Sequence, residues 1–315
     1  MRISLQEAAA KLLAANSILV TAHVNPDGDA LGSSLAMYHL LRQMGKEVQV
    51  LIDDDIPEAF GFLPDIHIIR KPEEERYQAD LLVLLDVSMD RTGRVIEKCQ
   101  APVLNIDHHI TNDEKADFLY LDAERAATAE IVYQLAARMG AKPDEAAAAC
   151  IYTGISTDTG NFRYSNTTAF TMRAAADMIE AGARPHVVSE ALEKRSFKEV
   201  QDRARAMQTI EMCADGRIAG LYIDNALYET LDTTEGFIDG VRIIDTVKVA
   251  VLVKEVEPGK CRVSMRSKGV DVSSVAAGFG GGGHIRAAGC TIEKPLADAK
   301  ATLLAALEKA VQVAE

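Results

Sequence analysis

TAHVNPDGDALGS, residues 21–33, is the stretch from which the fold is read. Before it lies a short β-branched apolar run, residues 17–20, with the character of a buried strand. After it, residues 30–44 carry apolar side chains at helical spacing, and Gly45 stands just past the end as a stop signal. The stretch is therefore expected to be a strand-to-helix loop, where open α/β sheets put their ligands. His23, Asp27 and Asp29 crowd into it, with Pro26 and Gly28 between them. Carboxylates this close repel unless a cation lies among them. Asp27 also suits a helix N-cap and Asp29 a first-turn acid, so this loop alone leaves both roles open.

The same design recurs downstream. Residues 79–86 (ADLLVLLD) form an apolar run ended by Asp86, as a central parallel strand would that delivers a carboxylate to the sheet edge. Residues 103–107 (VLNID) repeat it and run into His108 and His109. A further aspartate, Asp158, sits among small residues in STDTGNF. Strands are also expected at residues 47–52 and 66–69, and helices at 124–139, with Asp122 as its cap, and at 144–153. This order fits a doubly wound parallel sheet. Asp53, after the second strand, has the place of a ribose-binding acid, but no GxGxxG supports a dinucleotide and a solvated loop suits it better.

At 315 residues the chain has material for two domains, and the boundary is expected near residue 190. Residues 1–190 would form the larger α/β domain. Residues 191–315 would form a linking helix (196–212) and a smaller α+β domain with strands at 218–223, 248–256 and 261–266 and a helix after Pro295. The formal net charge is −13, with 17 basic and 29 acidic side chains in the first part against 17 and 18 in the second. So acidic a chain is a poor general binder of long nucleic acid, whose affinity comes from basic phosphate contacts. No apolar run reaches membrane-spanning length and the N-terminus has no signal-peptide core. Five widely spaced cysteines without a CxxC pair point to a reducing compartment, hence the cytoplasm.

The carboxylates and histidines together, His23, Asp27, Asp29, Asp86, Asp107, His108, His109 and Asp158, fall at strand ends or in the loops that follow. Two divalent ions sharing one carboxylate would satisfy them, and a set rich in oxygen with no thiolate suits Mn²⁺ or Mg²⁺. HVNPDGDALGS, the strand-end Asp86, NIDHH (residues 105–109) and TDTGNF (residues 157–162) resemble the four motifs of the DHH phosphoesterase superfamily. GGGGH (residues 280–284) resembles the signature of its DHHA1 accessory domain. In length and layout the chain is similar to the bifunctional oligoribonuclease and phosphoadenosine-phosphate phosphatase group.

The resemblance implies one metal on His23, Asp27 and Asp86 and a second on Asp29, Asp86, His108 and Asp158, with Asp86 bridging. His109 would touch the scissile phosphate and Asp107 would orient its neighbours. The second domain would hold the far end of the substrate through Gly281, Gly282, Gly283 and His284 and through Arg266, Ser267 and Lys268, with the active site in the cleft between the domains. A glycine run lets backbone N–H groups approach phosphate closely, and His284 and Arg266 add charged donors. Phe279, Phe162 and Tyr164 stand as candidates for stacking on a base. The expected activity is hydrolysis of short oligoribonucleotides, linear dinucleotides and nucleoside bisphosphates to mononucleotides, with dimerisation through the first domain implied by the family. Rival readings are a phosphodiesterase devoted to linear dinucleotides and, from another class, a nucleotide sensor without catalysis.

Overall fold

The computed structural model describes residues 1–314, which divide into two compact units, Met1–Lys194 and the residues from Arg195 on. The first unit is built on a five-stranded, wholly parallel sheet of β1 (Ser17–Thr21), β2 (Glu47–Val50), β3 (Leu81–Leu85), β4 (Val103–Asp107) and β5 (Phe118–Leu121). Their order across the sheet is β2-β1-β3-β4-β5. The order reverses between β1 and β3, and a doubly wound sheet opens its ligand crevice at that switch point. β3 and β4 are buried at every position, as a central strand covered on both faces must be. This doubly wound sheet is the fold expected from the sequence.

Helices α1 (Leu5–Ala14), α2 (Gly28–Gln43), the short α3 (Val95–Lys98), α4 (Thr128–Met139), α5 (Glu145–Asp158), α6 (Ala169–Glu180) and α7 (Pro185–Glu193) complete the unit. Ser4 and Glu7 close a reciprocal capping box at the start of α1. α2 and α5 approach closely because glycines face each other. A Cβ on Gly32 would lie 2.5 Å from the Cys150 carbonyl, and one on Gly154 would lie 2.6 Å from Ala129 Cβ and 2.7 Å from Asp29 Oδ1. Gly154→Ala is therefore expected to cost about 1–3 kcal/mol through overpacking. A melting temperature equal to wild type would show that the helices can part without penalty.

Several expectations need correction here. Residues 66–68 form a 3₁₀ turn rather than a strand, entered through Asp65 in a left-handed conformation. Asp122 caps no helix: β5 precedes it, Arg125 pairs with it, and α4 begins only at Thr128. α5 starts at Glu145 on the side-chain cap of Asp144 and continues through Asp158, so the fourth motif opens on a helix end. Asp53 is held by the Arg94 guanidinium at 2.7 Å and serves as a structural ion-pair partner.

The second unit opens with α8 (Phe197–Met207) and continues as a six-stranded mixed sheet: β6 (Ile210–Cys213), β7 (Ile218–Ile223), β8 (Val249–Glu257), β9 (Lys260–Ser267), β10 (Gly282–His284) and β11 (Ala287–Ile292). Helices α9 (Asn225–Tyr228) and α10 (Phe237–Arg242) follow β7; α11 (Val272–Ala277) follows β9, and α12 (Leu296–Val313) closes the chain. The expected linking helix is shorter, since residues 210–213 turn into β6. The strand order is β10-β11-β9-β8-β7-β6, and only β7 and β8 run parallel. Cys261, Val263 and Met265 point into a core with Leu303 and Leu307 of α12, which leaves Arg262, Ser264 and Arg266 on the opposite face. Among the described residues no helix is long and apolar enough to cross a membrane.

Candidate active site

Every carboxylate and imidazole singled out in the first unit lies at the C-terminal edge of the parallel sheet, next to the switch point. His23 follows β1 directly. Asp27 and Asp29 sit at the start of α2, where Asp27 Oδ1 accepts hydrogen bonds from the Asp29 and Ala30 N–H groups. The capping role of Asp27 is thus real, and it leaves the other carboxylate oxygen unused. Asp86 directly follows β3 with a φ of 62°, a left-handed backbone that Asp and Asn tolerate better than most side chains. His108 and His109 follow β4, and Asp158 is the last residue of α5.

These residues gather into overlapping groups able to hold a cation: His23, Asp27 and Asp86; Asp29, His108 and Asp158; and Asp86, His108 and His109. Asp86 turns one oxygen to each side. Its Oδ2 lies 3.6 Å from His23 Nε2, and its Oδ1 lies 3.4 Å from His108 Nε2 and 3.5 Å from His109 Nδ1. His23 Nε2 is 3.7 Å from Asp27, while His108 Nε2 is 3.2 Å from Asp158 and 4.0 Å from Asp29.

The tautomers suit a metal. His23 Nδ1 is 2.9 Å from the Val24 carbonyl and His108 Nδ1 is 3.1 Å from the Arg125 carbonyl, so each Nδ1 carries the proton. That leaves each Nε2 lone pair aimed at the carboxylates, the orientation a ligating imidazole takes. His108 Nε2 is buried and makes no well-directed hydrogen bond. A buried acceptor facing three carboxylates is costly by itself and is satisfied by a divalent cation.

Without a cation the site neutralises itself with protons. Burial disfavours a charged ring at His23, but Asp27 and Asp86 outweigh it and lift the group to about 10. Asp158 and Asp86 likewise overcome burial and lift His108 to about 11. Burial and the neighbouring charge of Asp86 push Asp29 and Asp158 upward, whereas the adjacent His108 and His23 rings hold Asp86 below the usual range despite its burial. At neutral pH both imidazoles thus hold protons that an incoming cation must displace. Metal loading is expected to release protons, and apparent affinity should rise as pH rises through the neutral range. Calorimetric Mn²⁺ titrations in buffers of different ionisation enthalpy measure this; identical heats would contradict it.

Three supporting residues escaped the sequence reading. Thr128 opens α4 and joins two of the acids: its N–H donates to Asp29 Oδ2 at 2.6 Å and its hydroxyl to Asp86 Oδ1 at 3.0 Å. Ala129 N–H donates to Asp29 Oδ1 at 2.9 Å, so Asp29 caps a helix distant in sequence. Asn112 donates to Asp107 Oδ2 at 2.6 Å. Asp107 Oδ1 in turn accepts from His109 Nδ1 at 2.8 Å, which fixes the ring and lifts the His109 pKa, first through that hydrogen bond. His109 is half-exposed, as Asp27 is, and its Nε2 is left for a ligand.

In the second unit, strand register places His284, Ala287 and Arg266 in one row across β10, β11 and β9. Cross-strand neighbours share a face, so Arg266 and His284 flank the small Ala287. Arg266 and Lys268 also line a basic groove of about 500 Å³ together with Arg242 and Arg286. Ser267 also lines the groove, but it is largely buried and its hydroxyl donates to the Val270 carbonyl at 2.5 Å. The glycine run is not an open loop, because Gly282, Gly283 and His284 pair with β11 as an edge strand. A Cβ on Gly281 would lie 2.2 Å from the Gly289 carbonyl, so that glycine is needed for strand approach whatever else it does.

The model of the DHH family N-terminal domain matches residues 17–155, and that of the DHHA1 domain matches residues 225–313. A Thermus thermophilus protein named bifunctional oligoribonuclease and PAP phosphatase NrnA is 33% identical over 277 residues, which cover 88% of this chain and 84% of that one. The Bacillus subtilis protein of the same name is 27% identical, covering 88% and 90%. An exopolyphosphatase-related protein from Bacteroides fragilis shares the fold with a TM-score of 0.84 at 24% identity, covering 97% of this chain and 95% of that one.

Proposed function

The chain belongs to the DHH family, and from that premise we propose that it hydrolyses short oligoribonucleotides and linear dinucleotides to mononucleotides and dephosphorylates phosphoadenosine phosphate to AMP. The observation that carries this is Asp86, whose two oxygens face separate His/Asp groups. His23, Asp27 and Asp86 would hold one divalent cation, and Asp29, Asp86, His108 and Asp158 a second, with Mn²⁺ the best match to the donors. Bound there, the cations would supply Lewis-acid stabilisation of phosphate charge and a more acidic water.

The protein's own groups do the rest. Thr128 and the Nδ1 hydrogen bonds hold the donor atoms in place before substrate arrives. Asp107 accepts from His109 Nδ1, favours the protonated ring and turns it outward, so that His109 would donate to a phosphate oxygen as charge builds on it. Water adds to phosphorus, the P–O ester bond breaks, and the departing oxygen takes a proton. In the second unit, Arg266, Lys268 and His284 bind the substrate's remaining phosphate with charge-assisted hydrogen bonds. The backbone around Gly281, Gly282 and Gly283 lets that phosphate come close. Substrates are short because the cationic surface is local on an acidic chain, which is also why long DNA is excluded. We place the enzyme in the cytoplasm, where its five unpaired cysteines stay reduced.

The test is hydrolysis by Mn²⁺-loaded protein of a di- and a pentaribonucleotide, phosphoadenosine phosphate and pyrophosphate. Cleavage of the RNAs and of phosphoadenosine phosphate is expected. Turnover of the dinucleotide alone would make it a dedicated dinucleotide phosphodiesterase, and binding without turnover would make it a sensor.

A further inference from the structure

The exposed face of the second sheet carries a second cationic station that the proposed reaction does not use. Lys254 of β8 and Arg262 of β9 are directly opposed in register, and Thr291 of β11 opposes Arg262 on its other side. Like charges placed opposite each other across strands are destabilising. No carboxylate relieves the pair. Lys254 Nζ donates to the Thr234 hydroxyl at 2.8 Å, and the Arg262 side chain has no hydrogen-bond or ion-pair partner among the described residues. Burial and the Arg262 charge both press the Lys254 pKa downward.

The pair opens on a cavity of about 520 Å³ that Ser264, Gly289 and Phe279 also line. Ser264 and Gly289 are themselves opposed in register, so two small side chains leave the space between the cationic rows clear. Phe279 is half-buried and packs against the core. The arrangement is an anion site with an aromatic beside it, the combination that single-stranded nucleic acid uses. Arg262 lies four residues from Arg266 along β9, about 13 Å at ~3.3 Å per residue, beyond the reach of one phosphate.

We propose that the Lys254–Arg262 cavity binds a more distal phosphate of a single-stranded RNA oligomer, with the neighbouring base against Phe279, so that oligomers longer than a dinucleotide gain affinity. The inference rests on the reading of the protein as an oligoribonuclease, in which the Arg266 row takes the phosphate next to the cleaved one.

Binding of fluorescein-labelled di- and hexa-adenylate RNA to the metal-free full chain separates the two claims, because no hydrolysis is needed. Wild type is expected to bind the hexamer at least tenfold more tightly than the dimer. Arg262→Ala should reduce that advantage to under twofold, and the Lys254→Met, Arg262→Ala double variant should lower the hexamer's salt slope by about 0.7, the value per phosphate contact on a single strand. Arg262→Lys should keep most of the advantage, which rules out misfolding as the cause of its loss. A wild type with no hexamer preference, or an Arg262→Ala variant that keeps it, overturns the proposal. Loss of the preference in a protein that hydrolyses neither RNA upholds the site and refutes the oligoribonuclease reading instead.

Discussion

Asp86→Asn is expected to lower kcat on a dinucleotide by on the order of 10³-fold or more, beyond the ~10²–10³ that loss of a single oxyanion donor costs. The larger figure follows from the position of the side chain. Each Asp86 oxygen faces a different His/Asp group, so neutralising it should weaken both of the proposed cation sites at once. Asparagine keeps the left-handed backbone at φ 62° and can still accept the Thr128 hydroxyl hydrogen bond, so the fold should survive. Alanine would add backbone strain and confuse the result. The Asn variant should melt cooperatively, bind less than one equivalent of Mn²⁺ tightly, and stay inactive at saturating substrate. Retained turnover would mean that the two groups do not depend on a shared carboxylate.

The second large effect belongs to the other unit. His284→Ala and Arg266→Ala should each raise KM for a dinucleotide roughly 10- to 100-fold, the range expected for losing a charge-assisted hydrogen bond worth ~1.5–3 kcal/mol. Metal content should stay at the wild-type level. The two residues lie in one cross-strand row with Ala287 between them, so they are expected to grip one phosphate together. Partners on one group couple, and the double variant should cost less than the sum of the singles. If KM is unchanged while kcat falls, the row acts on chemistry rather than binding and its assignment is wrong.

The parts of the site legible in the sequence are those built from local chemistry. A strand that ends in a carboxylate announces itself through an apolar run, and Asp86 and Asp107 were readable for that reason. His23, Asp27 and Asp29 were readable because so many ligand types on one turn are hard to explain otherwise. Thr128 and Asn112 were invisible because their roles depend on chain segments that meet only in the folded protein. Asp29 caps α4 from about a hundred residues away, and no local pattern records that. β5 is only four residues long, FLYL, and its pairing with β4 is what defines it. The glycine run carried no strand signal because backbone entropy usually keeps glycine out of strands; in β10 the close approach of β11 overrides that tendency.

One measurement bears most directly on a cation pair sharing Asp86: electron paramagnetic resonance of the protein titrated with Mn²⁺ to two equivalents. The account predicts that the second equivalent converts an isolated-ion signal into a spin-coupled one, and that Asp86→Asn never shows the coupled signal. An isolated-ion spectrum at both stoichiometries, in wild-type protein that cleaves RNA, would contradict it.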